Sequence, residues 1–319
     1  MRSITNKIAV MLIIALFVSF AAISAVSYYT AEKKVVQLVS QNQDQILKDI
    51  KSVSDSFLED YAEAVKKLAK HVESAPDYDE SILKAVITEK EQSSSITGDV
   101  YYSREEDGHH FQSNNIITTP EADGYDPRTR GWYTEAKRVG DVIYTEPYVD
   151  AMSKNLVMTF AKPITKNGKF TGVAGIDVKI DALNGKILDM GKTENGYVYI
   201  INKDGVMLID SDIEYIGKAY DITKIIAKKI TDKDFDENGL IPYVNSSGDN
   251  VTAKFLRIND KDWTAIAVIN ADTFSSHTMP LLKAQLVLAV LFIAALSIFV
   301  YILLKKSLSP VKTIQEKLE

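Results

Sequence analysis

The chain has no cysteine and only four histidines in 319 residues. The first absence excludes disulfides, thiolate metal sites and cysteine nucleophiles. Two of the histidines, His109 and His110, sit together in a polar turn, which leaves little from which to build a metal centre, and none is expected. A basic stripe is also missing, and the net charge of −6 speaks against a nucleic-acid partner. No phosphate-cradling glycine loop, nucleophile elbow or paired His-Glu zinc motif occurs. The chain therefore does not read as an enzyme, and no cofactor is expected.

What the sequence does have is two long uncharged runs. Ile8 to Tyr28 (IAVMLIIALFVSFAAISAVSY) is about 21 residues long, enough at 1.5 Å per residue to cross roughly 30 Å of hydrocarbon. Leu286 to Leu304 (LVLAVLFIAALSIFVYILL) is the second. A cleavable signal peptide is the rival reading of the first, because Ala21, Ala22 and Ala25 supply small residues; the apolar run, however, exceeds the usual signal-peptide core. Residues 8–28 and 281–304 are read as transmembrane helices. Arg2 and Lys7 precede the first, and Lys305, Lys306 and Lys312 follow the second, which places both termini in the cytoplasm. Residues 29–280 are then outside, which in a bacterium means the periplasm, with both spans in the inner membrane, or the cell exterior.

After the first span, Ile46, Ile50, Val53, Phe57, Tyr61, Val65, Leu68 and Val72 recur at steps of three and four, and no glycine or proline intervenes before Pro76. This predicts a long helix over 30–74 with one apolar stripe, which either docks on its own domain or pairs with a second copy in a homodimer. From Ile96 the pattern turns to strands and tight turns, with Asn167-Gly168 between two apolar runs as a strong hairpin signal. A short helix at Ile180 to Leu188 leads into a second series, in which GYVYIIN, the turn KDG and VMLIDSD precede the helical DITKIIAKKI and three further strands. The outside region reads as two mixed α/β domains in tandem, 75–190 and 191–275, carried by the long helix.

One stretch stands out, GYDPRTRGWY at Gly124 to Tyr133. Its proline and glycines suggest a loop, yet a solvated loop needs neither two arginines nor three large aromatics. Downstream lie Tyr148 and Asp150 in EPYVDA and Asp177 in GVAGIDV. Residues two apart on a strand share a face, so Tyr148 goes with Asp150 and Gly175 with Asp177, and a glycine beside a carboxylate would leave space for a guest. Arg130 offers a forked cation for a carboxylate, and Tyr125 and Trp132 can donate beside it. Asp150 and Asp177, with Tyr133 or Tyr148, could accept from an ammonium. Together they complement a zwitterion such as a free amino acid. The competing reading pairs Arg130 with an aspartate in a structural salt bridge and gives the aromatics to the core. Arg128 is expected to be ordinary surface.

This arrangement, with YDPRTRGWY, PYVDA, GVAGIDV and the later GYVYIINKDGVMLIDSDIEYIGK, resembles the double Cache (dCache) sensor region of bacterial methyl-accepting chemotaxis receptors, and the resemblance spans nearly the whole chain. It implies two tandem PAS-like modules on a long helix, flanked by two transmembrane helices, in a homodimer that signals for chemotaxis. The amino-acid-binding subset implies that Tyr125, Arg130 and Trp132 take the ligand carboxylate and Tyr133, Asp150 and Asp177 its amine, with Tyr148 nearby. Residues between Ile96 and Thr119 are expected to contribute to the side-chain subpocket, and the membrane-proximal module is expected to be structural. The tail at 305–319, KKSLSPVKTIQEKLE, resembles the opening of a HAMP relay. In such sensors a cytoplasmic kinase and adaptor act through output domains beyond that relay. The same input region also serves sensor histidine kinases and diguanylate cyclases. A sensor of amines or organic acids, and an adhesion or scaffold module with no small ligand, remain open at this level.

Overall fold

A 73-residue helix, α1 (Arg2–Ser74), opens the chain without a break. The computed structural model describes residues 2–92, 97–192, 196–236, 238–258 and 263–315; Ile96 and the last four residues of the expected relay lie outside this set. After α1 come α2 (Asp79–Gln92), β1 (Thr97–Arg104), β2 (His110–Gln112), β3 (Ile116–Thr118), α3 (Pro120–Asp123) and α4 (Gly131–Val139). Next are β4 (Ile143–Tyr144), β5 (Tyr148–Val149), β6 (Leu156–Lys166), β7 (Lys169–Lys179) and α5 (Ile180–Gly191). Then follow β8 (Gly196–Ile201), β9 (Met207–Ile209), α6 (Asp221–Asp232), β10 (Ile241–Val244), β11 (Asn250–Arg257), β12 (Thr264–Asn270) and α7 (Asp272–Gln315). The fold is mixed α/β, a long N-terminal helix with antiparallel sheets.

The chain divides into two units, residues 43–269 and residues 1–42 with 270–319. In the latter, the first part of α1 and α7 carry segments long and apolar enough to cross a membrane. Phe20 stacks on Phe292 there at 6.5 Å, and Gln285 Nε2 donates to Ser27 Oγ at 2.7 Å.

In residues 43–269 two sheets form. The larger runs β3-β2-β1-β7-β6-β4, with β5 also paired to β6, and the smaller runs β10-β11-β12-β8-β9. The hairpin between β6 and β7 turns at Asn167 and Gly168, at φ 52° and 78°. Those positive angles are what a two-residue turn between twisted strands requires, and asparagine and glycine tolerate them.

The apolar stripe of α1 docks on its own domain. Ile50, Phe57, Tyr61, Val65, Leu68 and Val72 are buried, with Ile46 and Val53 partly so. They join one core with Val100, Met158, Phe160, Ile176 and Val178 of the larger sheet and Val198, Ile200, Ala265 and Ala267 of the smaller. Because side chains alternate along a strand, the opposite faces are left for other partners. On the larger sheet that face meets α4 through Tyr101, Trp132, Tyr133, Ala136, Ile143, Ala161 and Val173. On the smaller sheet it is filled by α6, whose Ile226, Ala227 and Ile230 pack with Tyr199, Ile201, Ile266 and Val268.

Candidate functional site

The face of the larger sheet that meets α4 is where the predicted residues lie. Strand register pairs Tyr101 of β1 with Gly175 of β7, and Thr159 of β6 with Asp177 of β7. The ring of Tyr101 lies directly over Gly175, where a Cβ would fall 2.2 Å from it. The space above this glycine is therefore occupied by the chain's own tyrosine, which corrects the expectation that it is left open for a guest. That placement brings the Tyr101 hydroxyl to Asp177.

Asp177 is buried and held on one oxygen. Tyr101 donates to Oδ1 at 2.9 Å and Thr159 donates to the same atom at 2.6 Å. The Tyr148 hydroxyl lies 2.7 Å from Thr159 Oγ1; since the Thr159 hydrogen is already committed to Asp177, Tyr148 is the donor. Oδ2 accepts no hydrogen bond among the described residues. Burial raises the Asp177 pKa to about 7, the two donated bonds oppose this, and the charges of Asp150 and Asp99 add to it. Asp150 is also buried, and its Oδ2 accepts from the N–H groups of Met152 at 3.0 Å and Ser153 at 2.6 Å, so that it anchors the turn after β5. A buried carboxylate repelled by two others, with no cation within ion-pair distance among the described residues, is a site that lacks a positive partner.

The stretch before α4 shows the opposite deficit. The stretch Gly124 to Tyr133 is only partly a loop: a 3₁₀ turn spans Pro127–Thr129 and α4 begins at Gly131. The sequence suggested no helix there because Gly131 sits at its first position, where the cost of a flexible backbone is least. Arg130 is the N-cap of α4. Its guanidinium lies 5.9 Å from the centre of the Tyr125 ring and makes no ion pair or hydrogen bond among the described residues. The salt-bridge reading of Arg130 is thereby corrected. The Tyr125 hydroxyl and the Trp132 indole N–H are likewise without partners among the described residues. The first N–H groups of any helix lack intrahelical acceptors, and its dipole favours an anion at that end. Burial pushes the Tyr125 hydroxyl up to about 12; the Arg130 charge opposes the shift, and Asp150 and Asp177 add to it. One side chain thus feels both ends of the site.

Two residues fall elsewhere than expected. The Tyr133 hydroxyl donates to Glu105 Oε2 at 2.7 Å, and Lys137 reaches the other oxygen at 2.5 Å. Its ring packs edge-on against Trp132 and Phe170. Arg128 is a staple and not ordinary surface: it forks onto Asp126 at 2.8 to 3.2 Å and donates to the Glu105 carbonyl at 3.2 Å, tying the 3₁₀ turn to the end of β1. Sequence reasoning missed Tyr101, Thr159 and Glu105, which only strand register and turn geometry bring to these places.

A long N-terminal helix carrying antiparallel sheets is the architecture of a Cache-like domain. The dCache_1 family, a Cache domain, matches residues 27–277, and the chain belongs to that family. Its relatives are methyl-accepting chemotaxis proteins. The chain is 36% identical over 115 residues to methyl-accepting chemotaxis protein PscA of Pseudomonas syringae pv. tomato, an alignment that covers 34% of this chain and 18% of PscA. It spans less than half the length of the curated relatives it matches. Among solved structures, the ligand binding domain of Mlp24 with asparagine superposes with a TM-score of 0.61 at 21% identity, covering 78% of this chain and 98% of that one. The ligand binding domain of the Pseudomonas aeruginosa PAO1 amino acid chemoreceptor PctC, in complex with GABA, gives a TM-score of 0.59 at 23% identity, covering 73% and 100%. At such identities the likeness shows a shared fold.

Proposed function

We propose that this chain is the sensory part of a transmembrane chemoreceptor that binds a free L-amino acid on the larger sheet. One observation carries the reading: among the described residues, Arg130, Tyr125 and Trp132 present donors with no hydrogen-bond or ion-pair partner, while Asp177 presents an Oδ2 that accepts none. A zwitterion satisfies both deficits at once. An amine alone leaves Arg130 unpaired, and an organic acid alone leaves the buried carboxylates in mutual repulsion. The carboxylate would lie at the start of α4 and the ammonium beside Asp177 and Asp150. The asparagine and GABA bound by the structural neighbours are zwitterions too, which supports the same assignment.

The domain plan follows. Residues 75–190 form the membrane-distal ligand-binding module, and residues 191–275 form a proximal module whose corresponding face is filled by α6 and which is structural. Residues 8–28 and 281–304 span the inner membrane with 29–280 in the periplasm. The chain acts as a homodimer and is not an enzyme. A HAMP relay begins at 305–319 and passes the signal to output domains for chemotaxis. Ligand binding signals only if affinity differs between the two signalling states.

Calorimetric titration of the whole chain in detergent against amino acids, simple amines and organic acids tests the proposal. Binding of at least one amino acid in the micromolar range, about −8 kcal/mol, is the expected result. Exclusive binding of amines, or no binding by any amino acid, overturns it.

A further inference from the structure

The site contains a third group of polar side chains that the zwitterion contacts leave unused. Register pairs Tyr101 with Gln112 and Ser103 with His110 on β1 and β2, and His110 with Thr118 on β2 and β3. These residues share the sheet face that carries Asp177, since Tyr101 reaches Asp177 from that face. Gln112 is 4% exposed and Thr118 is 7% exposed, and neither Gln112 Nε2 nor Thr118 Oγ1 has a hydrogen-bond partner among the described residues. A buried amide donor left unpaired is costly, and native folds rarely keep one without a use.

The wall is uncharged. His110 is buried, with Nδ1 at 2.7 Å from Ser103 Oγ, and burial lowers its pKa to about 3, so the ring is neutral. Its ring lies 4.8 Å from that of Tyr101 and 5.4 Å from that of Tyr125, which places the wall beside the ligand site. An ionised ligand side chain directed here would lose its hydration and find no counter-charge. An aliphatic side chain would leave the buried donors unmet.

We propose that the β1–β3 end of the site is the subsite for the ligand's side chain and that it selects an uncharged side chain bearing a hydrogen-bond acceptor, a carboxamide above all. The carboxamide oxygen accepts from Gln112 Nε2, and its amide group donates to the Thr118 hydroxyl. This rests on the zwitterion reading above and sharpens it from amino acids in general to one chemical class.

The test is a calorimetric comparison on the whole chain in detergent. The probes are L-asparagine and L-glutamine, their carboxylate counterparts L-aspartate and L-glutamate, apolar L-norvaline and L-leucine, and L-alanine. The carboxamides bind at least about tenfold more tightly than either their acids or the apolar probes, because each rival leaves a charge or a buried donor unpaired. Gln112→Leu narrows the gap between L-glutamine and L-leucine to less than about threefold, and Thr118→Val narrows it in part, each in a chain whose thermal unfolding is still cooperative. Tightest binding by a charged or aliphatic probe, or an unchanged preference in both variants, overturns the subsite while L-alanine binding keeps the zwitterion frame. If no probe binds, both fall together.

Discussion

The Tyr101 hydroxyl donates to Asp177 Oδ1 at 2.9 Å across 76 positions of sequence, and it can do so only because Gly175 has no side chain beneath the ring. With Thr159 on the same oxygen, this bond holds the carboxylate by Oδ1 and leaves Oδ2 without a hydrogen bond among the described residues. If Asp177 is the ammonium acceptor proposed above, its carboxylate is held before any ligand arrives, which reduces the ordering cost of binding.

Asp177→Asn keeps an oxygen able to accept from Tyr101 and Thr159 but removes the charge that Asp150 and Asp99 repel. The ligand-free variant melts at a higher temperature than the wild type, while amino-acid affinity falls by tenfold or more, about 1.4 kcal/mol. Thermal unfolding and calorimetry on the same preparation read both effects. A variant that loses stability together with binding contradicts this account.

Amino-acid affinity depends on pH through the same group. Its folded pKa of about 7 stands above the unfolded value of 3.8, so the ligand-free fold binds the extra proton between those values. The contribution of Asp177 to ligand-free stability is most favourable below the unfolded pKa and is lost as pH rises through 7. An ammonium ligand prefers the ionised form, so affinity climbs by up to about tenfold per pH unit below 7 and levels off above it. Proton release, measured as the dependence of binding enthalpy on buffer ionisation, accompanies binding at pH 6 and vanishes near pH 8. A flat profile from pH 5.5 to 8 would count against this.

Gly175→Ala places a methyl group within 2.2 Å of the Tyr101 ring. The ring must move, which costs about 1–3 kcal/mol in a packed layer and breaks the bond to Asp177. Chemical denaturation shows the loss of stability, and titration shows weaker amino-acid binding. Unchanged stability would mean that the ring is not seated as described.

The two arginines of the 3₁₀ turn separate stability from binding. Arg128→Ala removes the fork on Asp126 and the bond to the Glu105 carbonyl, and lowers stability by about 1 kcal/mol. Arg130→Ala removes a guanidinium that makes no ion pair or hydrogen bond among the described residues and only a 5.9 Å contact with the Tyr125 ring, so the unfolding midpoint shifts little and ligand binding is lost. The opposite pattern would exchange their roles.

The natural absence of cysteine makes the topology directly testable. Ser246, in the exposed turn between β10 and β11, is replaced to give Ser246→Cys. A membrane-impermeant maleimide added to spheroplasts labels this variant without lysis. Labelling only after lysis reverses the proposed orientation.

Much was legible in the linear chain where the cause is local. The long helix follows from a stripe at steps of three and four with no breaker before Pro76, and the β6–β7 hairpin from Asn167-Gly168, because periodicity and turn chemistry act within a few residues. The residue types at Tyr125, Arg130, Trp132, Asp150 and Asp177 already suggested the complement of a zwitterion, the reading proposed above. Tertiary structure alone decided how they are used. Tyr101 reaches Asp177, Thr159 relays Tyr148, Tyr133 turns to Glu105, and Arg128 rather than Arg130 carries the structural pairing. Each of these depends on strand register or on how a turn meets a neighbouring strand. A shift of one residue in register would send every side chain to the other face, and no local pattern in the sequence specifies that pairing.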